Sequence, residues 1–269
     1  MSQDFKRHGP MGMDPALDKF RLNPTNLCWW CGDVATSAEH RFKRTTLKRI
    51  ATSSNGTITP QNVFKKSSDY HAPLKSIDKG AQIRWPANLC GKCNNATSQP
   101  YDKAYEAFEQ YVVGHHDEIS RKSRLRWSDV YGKEYREQSK DLARYFAKQL
   151  GCMLATQRLQ VPGEMIDFLN GAEHSLSIGF TLGVSTKATR LRNLLSVDDA
   201  LNIVGIRNVQ SYTQEGDFAA LVFPYQIGDI HVQVEWCKGA RLPAWYNRRS
   251  LKLTSVDNSE TFIALCLTE

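Results

Sequence analysis

Four cysteines stand in two pairs of identical spacing, Cys28-x-x-Cys31 and Cys90-x-x-Cys93. Four thiolates paired in this way can close a tetrahedral zinc shell with no open position. Such a zinc would hold the chain and do no chemistry of its own, so chemistry falls to the residues it positions. Glu39 and His40 lie a few residues past the first pair, and Asn94 and Asn95 directly follow the second. A neutral imidazole near pH 7 can take a proton from water. A carboxylate and an amide oxygen, as on Glu39 and Asn94, suit a hard ion such as Mg²⁺ or Mn²⁺, whereas sulfur selects zinc. These are the parts needed to hydrolyse a phosphodiester, where a cation must neutralise charge on the phosphoryl and leaving oxygens.

The elements that must position these residues are legible in outline. Leu27 to Gly32 has the form of a zinc knuckle, with Gly32 available for a positive φ angle and Trp29 and Trp30 as packing around it. Ala35 to Glu39 is a short β-capable stretch that runs through His40 into a basic segment containing Arg41, Lys43, Arg44, Lys48 and Arg49. From about 51 to 84 no period of 2 or 3.6 is sustained, which predicts a long insertion between the two halves of the thiol set. From Pro100 the pattern turns helical, with Tyr101, Tyr105, Phe108 and Val112 at the spacing of a buried face. Residues 114–138 are polar and charged and predict a domain boundary. A helix is expected over Ser139 to Ala155 and a short one over Glu164 to Leu169. Strands follow over Ser175–Leu182, Leu201–Ile206, Phe218–Tyr225, Ile230–Trp236 and Thr261–Leu267, with a hairpin connection over Gln226 to Asp229.

Bulk composition narrows the class. Of 269 residues, 41% are hydrophobic and 23% charged, which is ordinary for a folded globular chain and excludes wholesale disorder. No apolar run is long enough to span a bilayer, and no apolar signal core follows the N-terminus, so a cytoplasmic location is expected. The count of seven cysteines fits thiolates held in a reducing compartment better than a disulfide set, with Cys152, Cys237 and Cys266 read as core residues. The charge is uneven. Residues 1–111 carry 16 Lys/Arg against 10 Asp/Glu, whereas residues 112–269 carry 19 against 18. A polyanion-binding surface would therefore lie with the cysteines, made by Arg41, Lys43, Arg44, Lys48 and Arg49, with Lys65 and Lys66 in support.

A thiol pair, then Glu-His, then a second thiol pair followed at once by Asn resembles the HNH endonuclease family in its zinc-stabilised form, with Asn in the place of the last His. The resemblance covers about Leu27 to Val112. It implies a ββα-metal fold in which His40 is the general base and Glu39 and Asn94 hold the catalytic Mg²⁺ or Mn²⁺. The middle asparagine of the family pattern falls where this chain has Trp85. Asn88 is the nearest match for the role of orienting the base, and Asn95 is a second candidate ligand or phosphate contact.

The expected organisation is α+β: an arm over 1–24, an HNH-like nuclease domain with a structural four-cysteine zinc over 25–113, and an α+β domain with a mostly antiparallel sheet over 114–269. The expected activity is metal-dependent endonuclease cleavage of nucleic acid, double-stranded DNA first and RNA second. The layout resembles bacterial or phage restriction and anti-phage defence nucleases. Two alternatives stand beside this reading. One is a zinc-containing nucleic-acid-binding protein without catalysis; the other is a nuclease gated by a C-terminal domain that senses a protein partner or small-molecule trigger. A homodimer is left open. Glu173-His174 has no thiol pair or asparagine cluster nearby and reads as coincidence.

Overall fold

Turn chemistry sets the framework around the thiols. Gly32 sits at φ +83°, a conformation that strains L side chains, and its N–H donates to the Cys28 carbonyl at 2.9 Å, closing the first pair into a tight turn. The computed structural model describes residues 6–7, 15–52, 56–60, 63–66, 71–186, 188–190, 204–206 and 209–256. The chain forms two compact units, one of residues 26–96 and one of residues 1–25 together with 97–269, so the smaller unit interrupts the larger in sequence. In chain order the elements are β1 (Lys6–Arg7), α1 (Arg44–Ala51), β2 (Phe64–Lys66), β3 (His71–Pro73), a π-helical turn (Lys92–Thr97), α2 (Gln99–Gly114), α3 (His116–Lys122), β4 (Arg124–Arg126), α4 (Trp127–Tyr131) and α5 (Tyr135–Thr156). They continue with α6 (Gly163–Leu169), β5 (Ile178–Ser185), β6 (Val204–Ile206), β7 (Gln210–Gln214), β8 (Asp217–Ile227), β9 (Ile230–Cys237), β10 (Ser250–Lys252) and β11 (Thr254–Val256).

In the smaller unit, the segments on either side of the insertion pair with one another. Ser37 bridges Leu89 and His40 bridges Arg84, both antiparallel. Three steps on the first segment thus match five on the second, which carries Pro86, a residue with no N–H to give to a ladder. The insertion has a core of its own. The inner side of α1 contributes Leu47 and Ala51, which cluster with Val63, Leu74, Ile77 and Ile83, while β2 pairs with β3. Its apolar residues are scattered singly among Ser, Thr, Asn and Lys, so no period reveals them.

The larger unit is built on α5, whose residues Leu142 to Leu154 are all buried. Its sheet runs β1-β7-β8-β9-β5-β11, with β6 pairing β8, and every pairing is antiparallel except β11 with β5. Alternation puts Ile230, Val232, Val234 and Trp236 of β9 on one face, level with Ile227, Tyr225, Phe223 and Leu221 of β8. Tyr225 packs edge-on to Phe146 of α5 at 5.4 Å between ring centroids, and Tyr105 of α2 stacks on Tyr145 at 4.2 Å. The other face of β9 carries His231, Gln233 and Glu235, all buried. Lys148 of α5 is fully buried; its Nζ donates to Asp102 Oδ1 and Ser98 Oγ, both at 3.2 Å.

Several expectations differ from this arrangement. The boundary read near 113/114 lies at 96/97, because α2 packs on α5 through Tyr105. Residues 114–138, the expected boundary region, contain α3, β4, α4 and the start of α5, anchored by Ile119, Leu125, Trp127 and Tyr131 amid a polar majority. The arm is part of the larger unit. Leu17 is fully buried, Arg21 Nη1 donates to the Gln157 carbonyl at 2.6 Å, and β1 adds to the edge strand β7. Cys152 and Cys237 are buried, as read, while the strand expected over Thr261–Leu267 and Cys266 lie outside the described residues, as do the side chains of Lys65 and Lys66. Among the described residues, no helix is long and apolar enough to cross a membrane.

Candidate metal centre and active site

The four paired thiols converge. The sulfurs of Cys28, Cys31, Cys90 and Cys93 all lie within 4.8 Å of one another, and Cys31 Sγ is 3.6 Å from Cys90 Sγ. A tetrahedral zinc with bonds of about 2.3 Å would set its sulfurs roughly 3.8 Å apart, so this set could hold a metal ion such as zinc. Local backbone builds the site. The Cys93 N–H points at Cys90 Sγ at 3.4 Å, and Leu27 bridges Val34 below the knuckle. The amide of Cys93 brings the Cys90 thiol down to about 7, whereas burial pushes the Cys93 thiol far up. Four thiolates this close repel one another, and a dication removes that conflict. Trp29 and Trp30 stack on each other at 6.0 Å, with Trp30 buried.

The residues expected to do chemistry fall into two groups. Asn94 is 8% exposed on the π-helical turn, and its Nδ2 donates to Ser37 Oγ at 2.8 Å, two residues ahead of Glu39, itself 6% exposed. The structure therefore brings the asparagine after the second thiol pair against the segment that carries Glu39. Asn95 is exposed and donates to the Gly91 carbonyl. The carbonyl of Asn88 accepts from the Trp29 N–H.

His40 has a different neighbour. Its bridge partner is Arg84, flanked by Trp85 N–H to Glu39 carbonyl at 2.8 Å and Arg41 N–H to Ile83 carbonyl at 2.8 Å. That pattern makes His40 and Arg84 a non-hydrogen-bonded antiparallel pair, the kind whose side chains stand closest. Arg84 Nε lies 3.3 Å from His40 Nε2. A guanidinium has no acceptor, so Nε2 accepts and Nδ1 carries the hydrogen of the neutral ring. Burial, with Arg84, Lys43 and Arg44 nearby and Asp78 opposing them, brings His40 down to about 4, so the ring is neutral at pH 7.

The basic segment divides by what it touches. The guanidinium of Arg41 covers the Trp85 ring at 4.5 Å and donates to the Arg84 carbonyl, so Arg41 is built into the fold. Arg44, at the start of α1, pairs with Asp78. Lys48 is exposed one turn on, and Arg49 is half-buried. Ser37, Asp78 and Arg84 were not singled out from the sequence, and Arg84 was open to discovery as the strand position facing His40. Glu173 pairs with Lys140 at 2.7 Å and His174 stacks near Tyr246. Among the described residues, the four cysteines are the one group of three or more His, Cys, Asp or Glu side chains placed to share an ion. Comparison with protein-family models, curated proteins and solved structures finds no match to this chain.

Proposed function

We propose that this protein is a metal-dependent endonuclease of the HNH type that hydrolyses phosphodiester bonds in DNA, with RNA as the second candidate substrate. The observation that carries the reading is the 2.8 Å bond from Asn94 to Ser37, which ties the residue after the second thiol pair to the segment holding Glu39 and His40. In this reading the four cysteines bind a structural zinc that fixes both segments. Glu39 and Asn94 are the oxygen ligands for Mg²⁺ or Mn²⁺, which when bound neutralises charge on the phosphoryl and leaving oxygens. Two protein ligands suffice for such an ion, which commonly completes its shell with water and substrate phosphate.

His40 takes the proton of the attacking water at Nε2, the ring nitrogen that bears the lone pair in the tautomer described above. Asn94, through Ser37, keeps the ligand set in register with that base. Lys43, Arg44 and Lys48 contact the phosphate backbone without reading bases. The larger unit serves target or partner recognition, as in a restriction or defence nuclease.

The test is incubation of plasmid with purified protein and with its His40→Ala variant, in Mg²⁺ or Mn²⁺. Nicking by the wild type alone supports the reading. Binding with no metal-dependent cutting by either protein would instead favour a zinc-containing nucleic-acid-binding protein without catalysis.

A further inference from the structure

The contact between Arg84 and His40 is chemically awkward for a base. A neutral imidazole has one lone pair, and the Arg84 Nε–H points at the nitrogen that holds it. A cation beside an imidazole also gives no ion pair, and the fold has not neutralised it: among the described residues no carboxylate pairs with Arg84, because the nearby Asp78 is taken by Arg44. Yet the backbone around Arg84 is firmly held. Its N–H donates to the Gly80 carbonyl, its carbonyl accepts from Arg41 Nε, and the next residue, Trp85, donates to Glu39 and lies under the Arg41 guanidinium. The chain thus fixes an arginine next to the base and leaves its Nη edge without a carboxylate. Lys43 and Arg44 act on the same imidazole, so the surroundings of His40 favour an anion.

We propose that Arg84 caps the lone pair of His40 in the free protein and contacts the scissile phosphodiester in the complex, the phosphate drawing the guanidinium off Nε2 and so uncovering the base. The inference rests on the nuclease reading for its consequence in catalysis, but the cap and the phosphate contact are each measurable without it. A guanidinium suits the exchange because its planar fork binds phosphate oxygens by two parallel N–H bonds. It also gives the protein a base that is covered until a phosphate arrives.

The experiment uses the full chain, zinc-loaded, as wild type, Arg84→Ala and Arg84→Lys. The first reading is the rate at which diethyl pyrocarbonate, an electrophile attacked by the imidazole lone pair, carbethoxylates the His40 peptide. It should rise about 10-fold in Arg84→Ala, and an unchanged rate overturns the cap. The second is the salt dependence of binding to a DNA duplex in Ca²⁺. Its slope should fall by roughly 0.9 in Arg84→Ala, which neutralises one phosphate fewer, and hold in Arg84→Lys, which keeps the charge. An unchanged slope in Arg84→Ala overturns the phosphate contact. If Arg84→Ala does not retain one zinc per chain, Arg84→Lys decides the cap alone, by faster modification of His40 than in wild type. Failure of the nuclease reading registers separately, as a wild type that does not cut in Mg²⁺ or Mn²⁺ while the reactivity and slope results stand.

Discussion

At the scale of single residues, Glu39, His40 and Asn94 should separate by how their replacement responds to metal. His40→Ala should retain zinc and duplex binding while cleavage falls by roughly 10²–10⁴-fold, the usual contribution of a positioned base, and added Mg²⁺ or Mn²⁺ should not restore it. Asn94→Ala and Glu39→Ala should move the metal titration to higher concentration and be partly rescued there. Equal rescue of all three variants would remove His40 from the role of base. The imidazole also makes a prediction of its own. Burial and the adjacent Arg84 bring His40 to about 4, below its ordinary value of 6.5. The stabilisation this implies is complete above about pH 6.5 and is lost as pH falls toward about 4, since the folded state resists the proton that the unfolded chain accepts. An NMR titration of the zinc-loaded protein without Mg²⁺ should therefore place the His40 midpoint well below 6; a midpoint near 6.5 would contradict the burial seen here.

At the scale of elements, the thiol set and α1 make contrasting predictions. Chelation of zinc, or replacement of any one of Cys28, Cys31, Cys90 and Cys93 by Ser, should unfold residues 26–96, because structural zinc supplies much of the folding free energy of such units. Proteolysis confined to this stretch after chelation would report it, and unchanged protection would mean that the core around Leu47 and Ile77 suffices. Replacing Lys43, Arg44 and Lys48 together by Ala should lower the salt slope of duplex binding by at most roughly 2.7, three phosphates at about 0.9 each. A smaller drop would show that Arg44 stays with Asp78 in the complex. The same elements show what could be read from sequence. The thiol cluster was legible because each C-x-x-C pair sets two sulfurs close and two such pairs suit one tetrahedral ion, and the alternating apolar residues of Ile230–Cys237 marked β9. β7 was not legible, because Ser211, Tyr212 and Thr213 are polar or amphipathic yet buried by their neighbours. Arg84 was missed for a related reason: its importance comes from a cross-strand position, and 44 residues separate it from His40.

At the scale of the whole molecule, the larger unit depends on polar as well as aromatic burial. Lys148 has no exposure and its ammonium is paired with Asp102, so Asp102→Ala should cost about 3–5 kcal/mol, the usual effect of stranding a buried cation. Denaturant unfolding followed at the tryptophans of this unit, Trp127 and Trp245 among them, would measure it. A cost below about 1 kcal/mol would mean that the remaining partners, Ser98 among them, satisfy the ammonium. The interruption of this unit by residues 26–96 also sets an order in time. During synthesis at roughly 5–20 residues per second, the fourth thiol leaves the ribosome on the order of ten seconds before β9, the strand at the middle of the larger sheet. The smaller unit can bring its four thiols together in that interval, while the segment around Leu17 must wait for partners that have not yet been made. On the proposed nuclease reading, newborn chain would then carry its cutting module ahead of the unit proposed to direct it, and the proposed cap on His40 would have a use during biogenesis itself.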